Sequence, residues 1–390
     1  MVLTDLFRQA KSSDSNPQHA VQDNLWQGDE FCQDKDNTST RLMFHNVNGM
    51  PLHGIKGLDM VVNEQKTWSI DAQFISEHCL DTTKFQVVNT AREILRRTQQ
   101  TQVLGHFVSS SEQAQNQYKP GGTGIILLGP IIGRLDPNGR GGDPLGRWSY
   151  VHLRRKNSPP LTIISCYQVC QSPTNALGNT AYHQQLRALN MAGKNNIHPR
   201  QAFISDLSAF LSSLQNQNHD VILGGDFNEA LTDKNSGIHK LATSHNLMDP
   251  FLSRFPTLGN FGTHTRGTRR IDVSLMSPRL LPALQRIGYA PYDLINSSDH
   301  RPLLLEFSSQ YLFGEIPDTM LPSTNRAFQS KDKKAVQTFI DKMYNSILSR
   351  EGFSLQPSIE ADTATPAIIE QVTFPRVENA EVRKTWPVET

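Results

Sequence analysis

The apolar run Val221-Ile222-Leu223 is followed at once by Gly224-Gly225-Asp226-Phe227-Asn228. Val, Ile and Leu fill a strand buried on both faces, so the segment sets a carboxylate and an amide at the mouth of a buried strand. Its paired glycines permit a tight turn where the strand leaves the sheet. A polar pair on such an edge reads either as a plain turn or as part of the rim where active sites of layered α/β proteins gather. The setting recurs: Asn46 follows Leu42-Met43-Phe44, Glu77 follows Phe74-Ile75, and Tyr167 follows Ile163-Ile164. Asp272 sits inside a strand behind Arg269 and Arg270, and Asp299-His300 opens the last strand. Taken singly each has a bland reading, since Asn and Asp close turns, an edge tyrosine is half-buried, and most histidines are surface or hydrogen-bonded core. Taken together they supply carboxylates, amides, a phenol and an imidazole, the groups of acid–base catalysis.

The elements that must position these groups are legible in outline. Strands are expected over 41–49, 69–75, 124–128, 148–153, 161–167, 221–223, 271–276 and 302–307, each a short apolar or alternating run bounded by turn residues. Between them, Phe85, Val88, Ala91, Ile94 and Leu95 recur at helical spacing within 82–99, with Arg92, Arg96 and Arg97 opposite. The stretch 180–216 reads as two helices divided near Pro199, and Phe203, Leu207, Phe210, Leu211 and Leu214 form a stripe that packs on the sheet. Residues 136–147, rich in glycine and proline, are expected to be a loop or ribbon tip. Several neighbouring strands are joined by connections too short for a helical crossover, so the expectation is an α/β protein with mixed sheets and helices outside.

Three segments follow from composition. Residues 1–39, rich in Ser, Asn, Gln and Asp, read as a disordered lead. The folded domain spans 40–308, and 309–390 is an appendage with one amphipathic helix near 331–349 and a disordered last forty residues. The balance of 38 Lys+Arg against 37 Asp+Glu gives no global basic field, so nucleic-acid binding would rest on local patches. Cys32, Cys79, Cys166 and Cys170 are too few and too irregular for a disulfide framework or a zinc site, which fits a reducing, intracellular setting. There is no signal-like start and no apolar run of membrane-spanning length, so no membrane partner is expected, and no protein partner is evident.

Asn46-Val47-Asn48-Gly49, Ser76-Glu77-His78, Ser165-Cys166-Tyr167, Gly225-Asp226-Phe227-Asn228, Arg270-Ile271-Asp272 and Ser298-Asp299-His300, in that order, resemble the endonuclease/exonuclease/phosphatase superfamily, the deoxyribonuclease-I-like fold. The resemblance spans about 40–308 and is nearest in character to the endonuclease domains of LINE-type retrotransposons. It implies a four-layered α/β-β/α sandwich of two mixed sheets with outer helices, and a metal-dependent phosphodiester cleft at one end. It implies Mg²⁺, with Mn²⁺ as the alternative, held by Glu77 with Asn46 and Asp299, and such ions do take carboxylate and amide oxygens. His300 is implied to activate water or stabilise the transition state, oriented by Asp272, and Asp226 to align the nucleophile or protonate the leaving oxygen. Asn228 and Tyr167 would donate to phosphate oxygens, and Thr263 or Thr265, with Arg270, would contact phosphate.

Departures stand out, among them Val273-Ser274-Leu275 after Asp272, where an aromatic is frequent. His78-Cys79-Leu80 follows Glu77 where relatives commonly show Thr-His-Leu. Arg270-Ile271-Asp272-Val273 stands where the inositol-phosphatase branch carries Trp-Cys-Asp-Arg, which argues against that substrate. The expected function is therefore a Mg²⁺-dependent, retroelement-type endonuclease that nicks DNA, with Arg266, Arg269 and the cluster Arg154, Arg155 and Lys156 as local phosphate contacts. A retroelement origin would imply work in the nucleus. The alternatives are a phosphatase or phosphodiesterase on a small or lipid phosphate ester, and a catalytically retired nucleic-acid-binding module.

Overall fold

A computed structural model of the chain describes residues 25–50, 57–98, 102–112, 119–172, 178–195, 197–259, 261–295, 298–314 and 333–349. Two mixed sheets carry the fold. The larger runs β1 (Gln27–Gly28), β11 (Leu284–Tyr289), β12 (Leu303–Ser308), β2 (Ser39–Asn46), β3 (Ala72–Ser76), β5 (Thr123–Leu128), β4 (Val103–Val108). The smaller runs β10 (Asp272–Met276), β9 (Asp220–Asp226), β8 (Leu161–Tyr167), β7 (Trp148–Leu153), β6 (Leu135–Gly142). Only the β2/β3 and β8/β9 pairs are parallel among these ladders. The mixed character follows from the short connections.

The sheets pack face to face, and alternation along each strand sorts side chains between the layers. Leu42, Phe44 and Phe74 of the larger sheet meet Val151, Ile163 and Ile222 of the smaller in one core. Val221 and Leu223, pointing the other way, are covered by Phe203, Leu207, Leu211 and Leu214 of helix Pro199–Asn216. Beyond the larger sheet, helices Gly57–Thr67 and Phe85–Thr98 bury Leu58, Val62, Ala91, Ile94 and Leu95 against Ile75 and Ile126. The result is the expected four-layered α/β-β/α sandwich.

Several expectations are corrected. Residues 25–39, expected in the disordered lead, are tied to the fold: β1 pairs with β11, and Trp26 and Phe31 join Trp68, Ile70, Ile295 and Leu304 in a small apolar cluster. The buried Arg41 guanidinium donates to the carbonyls of Cys32, Gln33 and Asp34, which replaces the water this polar stretch would otherwise need. The segment 136–147 is mostly an edge strand, with a register irregularity between Leu135 and Arg140, rather than a loop tip. Phe85, placed on the apolar stripe, is exposed at the start of its helix. The domain runs past 308, because helix Ser309–Phe313 plugs Leu312 and Phe313 into the core between the sheets. A separate unit, residues 325–390, contains the helix Lys333–Ser349 where the sequence pattern places one. The first 24 residues of the lead and the last forty residues lie outside the described residues. Among the described residues no helix is long and apolar enough to cross a membrane.

Candidate active site

Strand register brings the strand-end residues to one place. Asn46 pairs with Ser76 across β2/β3, while Tyr167 and Asp272 both pair with Asp226 across β8/β9 and β9/β10. β12 is antiparallel to β2, so the turn carrying Asp299 and His300 meets the end of β2. Reciprocal serine hydroxyls join the sheets here: Ser76 Oγ donates to the Cys166 carbonyl (2.8 Å) and Ser165 Oγ to that of Ile75 (2.9 Å). The paired glycines serve close approach and not, as expected from sequence, the turn. A Cβ on Gly225 (φ 140°) would lie 2.0 Å from the Cys166 carbonyl oxygen, and one on Gly224 would lie 2.8 Å from the Phe44 ring. The turn itself falls at Asn228, with φ 49°. Glu77 also adopts a left-handed conformation, φ 57°, which costs energy for a residue with a long side chain. Its N–H donates to Gly122 O (2.8 Å) and its carbonyl accepts from Gly49 N (2.7 Å), and these bonds hold it there.

His300, Asp272 and Asp226 form the buried floor. His300 Nδ1 lies 2.9 Å from Asp272 Oδ2, and its Nε2 lies 4.0 Å from both Asp226 Oδ2 and Asp299 Oδ1. Burial alone would lower the histidine's pKa, but Asp272, with Asp226 and Asp299 beyond it, outweighs burial and raises it to about 10. The ring is therefore an imidazolium at neutral pH. Burial and the charge of Asp272 push the Asp226 carboxyl up to about 7, against the opposing pull of His300. Burial likewise raises Glu77 and holds the Tyr167 phenol well above its ordinary range, with the Glu77 and Asp226 charges adding to it.

The neutral donors are spent on carboxylates. Asn46 Nδ2 donates to Asp226 Oδ2 (2.9 Å) and to Glu77 Oε2 (3.2 Å), while its oxygen accepts from Asn48 N (2.9 Å). Asn46 is thus an amide bridge between two acids, and its oxygen, expected to ligate metal, is turned to its own loop. Asn228 uses both amide hydrogens, on Asp226 Oδ2 (3.1 Å) and Gln168 O (2.7 Å), and its backbone N–H meets Asp226 Oδ1 (2.8 Å). Tyr167 hydrogen-bonds Glu77. Both residues, expected to reach phosphate, instead hold the acids in place.

Thr263 and Arg270 do not line the cleft. Thr263 Oγ1, fully buried, accepts from the N–H groups of Ile271 (3.0 Å) and Asp272 (3.1 Å) and so fixes the start of β10. Arg270 is buried against Asp249 and Tyr289, with its guanidinium over the Phe251 ring. Asp249 also caps helix Pro250–Arg254, which places this ion pair beneath the site as a brace. The cluster 154–156 follows the end of β7 that pairs with Leu161, the opposite end of β8 from Tyr167, and Arg155 is engaged by Asp220 (2.6 Å). By contrast Arg266 and Arg269 are exposed on the loop beside Asp299.

Two residues carry roles that the sequence did not assign. Ser298 Oγ donates to Asn46 O (2.6 Å) and accepts from His300 N (3.1 Å), locking the histidine turn to β2. His264 Nε2 lies 3.3 Å from Asp299 Oδ2, and only its position in a Thr-rich basic loop could have pointed to it. For a divalent cation the donor set is suitable: Glu77 and Asp299 offer carboxylate oxygens at the half-exposed rim, and Asp299 Oδ1 is buried without a hydrogen-bond partner among the described residues. Asp226, Asp272 and His300 also lie close enough together to be considered, but there the cation-like role is already taken by His300.

No family model matches the chain, and no curated protein matches it in sequence. Solved structures do. The AP endonuclease LMAP from Leishmania major superposes with a TM-score of 0.51 at 14% identity, over 79% of this chain and 99% of that one. The 3′ phosphatase NExo from Neisseria, bound to a product DNA hairpin, aligns at 18% identity over 69% of this chain and 99% of its own, with a TM-score of 0.45. The human Nocturnin catalytic domain, with a bound sulfate, aligns at 17% identity over 69% and 93%, also with 0.45. The likeness to LMAP and the two packed mixed sheets show the deoxyribonuclease-I-like sandwich, the fold of the endonuclease/exonuclease/phosphatase superfamily.

Proposed function

We propose that the chain is a divalent-cation-dependent phosphodiester hydrolase that nicks DNA. The observation that carries this reading is the buried His300–Asp272 pair, whose Nε2 faces an Asp226 carboxylate bracketed by the side-chain amides of Asn46 and Asn228. Phosphodiester cleavage loads negative charge onto the phosphate oxygens, and a preorganised imidazolium beside them lowers that barrier without later reorganisation. Asp226, oriented by three donors, takes the proton of the attacking water once it is ionised, and as the bond from phosphorus to the 3′ oxygen breaks it returns that proton to the leaving oxygen. Glu77 and Asp299 would hold Mg²⁺ or Mn²⁺, and the bound cation supplies further charge neutralisation at the phosphate. Asn46, Asn228 and Tyr167 hold the acids against their mutual repulsion.

A polyanionic substrate is favoured by the exposed Arg266 and Arg269 on the loop whose Thr265 N–H bonds the Asp299 carbonyl (2.8 Å). The retroelement-type reading rests on the motifs Asn46-Val47-Asn48-Gly49 and Gly224-Gly225-Asp226-Phe227-Asn228-Glu229-Ala230. Incubation with supercoiled, abasic and single-stranded DNA in Mg²⁺ tests the proposal: nicks bearing a 3′-hydroxyl are expected. Hydrolysis of sphingomyelin or inositol phosphates without nicking would move the activity to small esters. Cation-independent DNA binding without turnover would leave a retired module.

A further inference from the structure

The loop 262–270 is pinned to the turn that carries Asp299. Thr265 N donates to Asp299 O (2.8 Å), Arg301 N donates to Thr263 O (2.8 Å), and His264 and His300 face each other as an isolated bridge pair. This sets the two imidazoles edge to face, with centroids 4.8 Å apart at 73°. His264 Nδ1 accepts from the Arg266 N–H (3.0 Å). A ring nitrogen that accepts carries no proton, so the neutral ring bears its hydrogen on Nε2. That Nε2 lies 3.3 Å from Asp299 Oδ2 and donates to it.

His264, Asp299 and His300 stand close enough together to suggest a shared metal site. The tautomer argues otherwise for His264, since an Nε2 that carries hydrogen has no lone pair to give. What the ring does instead is hold one oxygen of Asp299. The other, Oδ1, is buried, has no hydrogen-bond partner among the described residues, and lies 4.0 Å from His300 Nε2. A buried carboxylate oxygen left without a donor is costly unless a cation completes it. Asp299 is also 30% exposed, so an unrestrained side chain would turn toward water. We propose that His264 is a positioning residue that ties down Asp299 Oδ2 through its Nε2–H and leaves Oδ1 preset as an oxygen ligand for the divalent cation. The inference rests on the hydrolase reading above.

The test is Mn²⁺ binding to the full chain without substrate, followed by calorimetry and by the electron paramagnetic resonance signal of free Mn²⁺. His264→Phe keeps a ring against His300 and removes the donor, whereas His264→Gln supplies an amide N–H in its place. Loss of one charge-assisted hydrogen bond is expected to weaken Mn²⁺ binding about tenfold in His264→Phe, with His264→Gln recovering most of it. In an Asp299→Asn background, His264→Phe is expected to add no further loss, because the two act through one contact. Should His264→Phe melt below wild type, His264→Ala, which makes no demand on packing, takes its place with the same expectation. Wild-type affinity in the donor-less variant, or a Gln variant as weak as Phe, overturns the assignment. A wild-type chain that binds Mn²⁺ and nicks DNA while His264→Phe binds equally well sinks this inference alone. A wild-type chain that binds no Mn²⁺ and cleaves nothing sinks the hydrolase reading with it.

Discussion

His300 keeps its proton because Asp272 sits 2.9 Å from Nδ1, and Asp226 gives its proton up only near neutrality because it is buried beside that same acid. Cleavage needs the first protonated and the second ionised. In saturating Mg²⁺ activity is therefore expected to rise along an acid limb set by Asp226 and to fall along an alkaline limb set by His300, with the bound cation drawing both below the values of about 7 and about 10 that the groups have without it. Asp272→Asn removes the carboxylate that supports the imidazolium. The alkaline limb of kcat/KM should move down toward an ordinary histidine, and turnover should fall by about 10²- to 10⁴-fold. An unmoved alkaline limb would contradict the role given to the pair. The linkage has a matching sign: a histidine raised above its unfolded value contributes stability that is complete below about 6.5 and is lost as pH climbs through about 10. Sequence made the identities of these groups and their strand-end settings legible. It did not show that Asn46, Asn228 and Tyr167 spend their donors on acids, because those partners are brought by register from strands far apart in the chain. Arg270 misled for the same reason, since its partner Asp249 lies 21 positions away on a helix cap.

At the level of elements, the close approach of β8, β9 and the opposite sheet is sensitive to a single atom. Gly225→Ala places a Cβ against the Cys166 carbonyl at a positive φ, and both faults recur in any L-residue. A loss of about 3 kcal/mol or more is expected in urea unfolding, and a change under 1 kcal/mol would refute the packing argument. The basic residues separate into braces and contacts. Arg270→Ala strands the buried Asp249 and is expected to cost about 3–5 kcal/mol of stability. Arg266→Ala and Arg269→Ala should leave stability unchanged and each reduce the salt dependence of DNA binding by about one ion, measured by titration at several ionic strengths. Long apolar strands and the two-helix stretch 180–216 were legible from periodicity. The edge strand β4 and strand β11, which lies between β1 and β12, were not, since they mix glycine and polar residues and gain their place only from their neighbours. Residues 25–39 were likewise unreadable without the buried Arg41 that serves their carbonyls.

For the whole molecule, two fully buried histidines set the acid limit. His45 and His78 are driven down to about 4 by burial, only partly offset by the backbone carbonyls they face. Below about 6.5 the unfolded chain binds protons that the folded chain refuses until about 4, so stability falls across that window, by roughly 3 kcal/mol for each. Urea unfolding at pH 7 and pH 4.5 checks this, and equal midpoints would contradict it. The sandwich matters to function because both sheets end their site-bearing strands at one edge, so six separated segments meet in one cleft while the cluster 154–156 is left at the far end. The most direct measurement is nicking of supercoiled DNA by the full chain in Mg²⁺, alongside Asp226→Ala and His300→Ala proteins of unchanged circular dichroism. The expected result is conversion to open circles by wild type alone, abolished by chelation. A folded, cation-loaded wild type that leaves every DNA intact, or an Asp226→Ala protein with near-wild-type turnover, would contradict the assignment of this cleft.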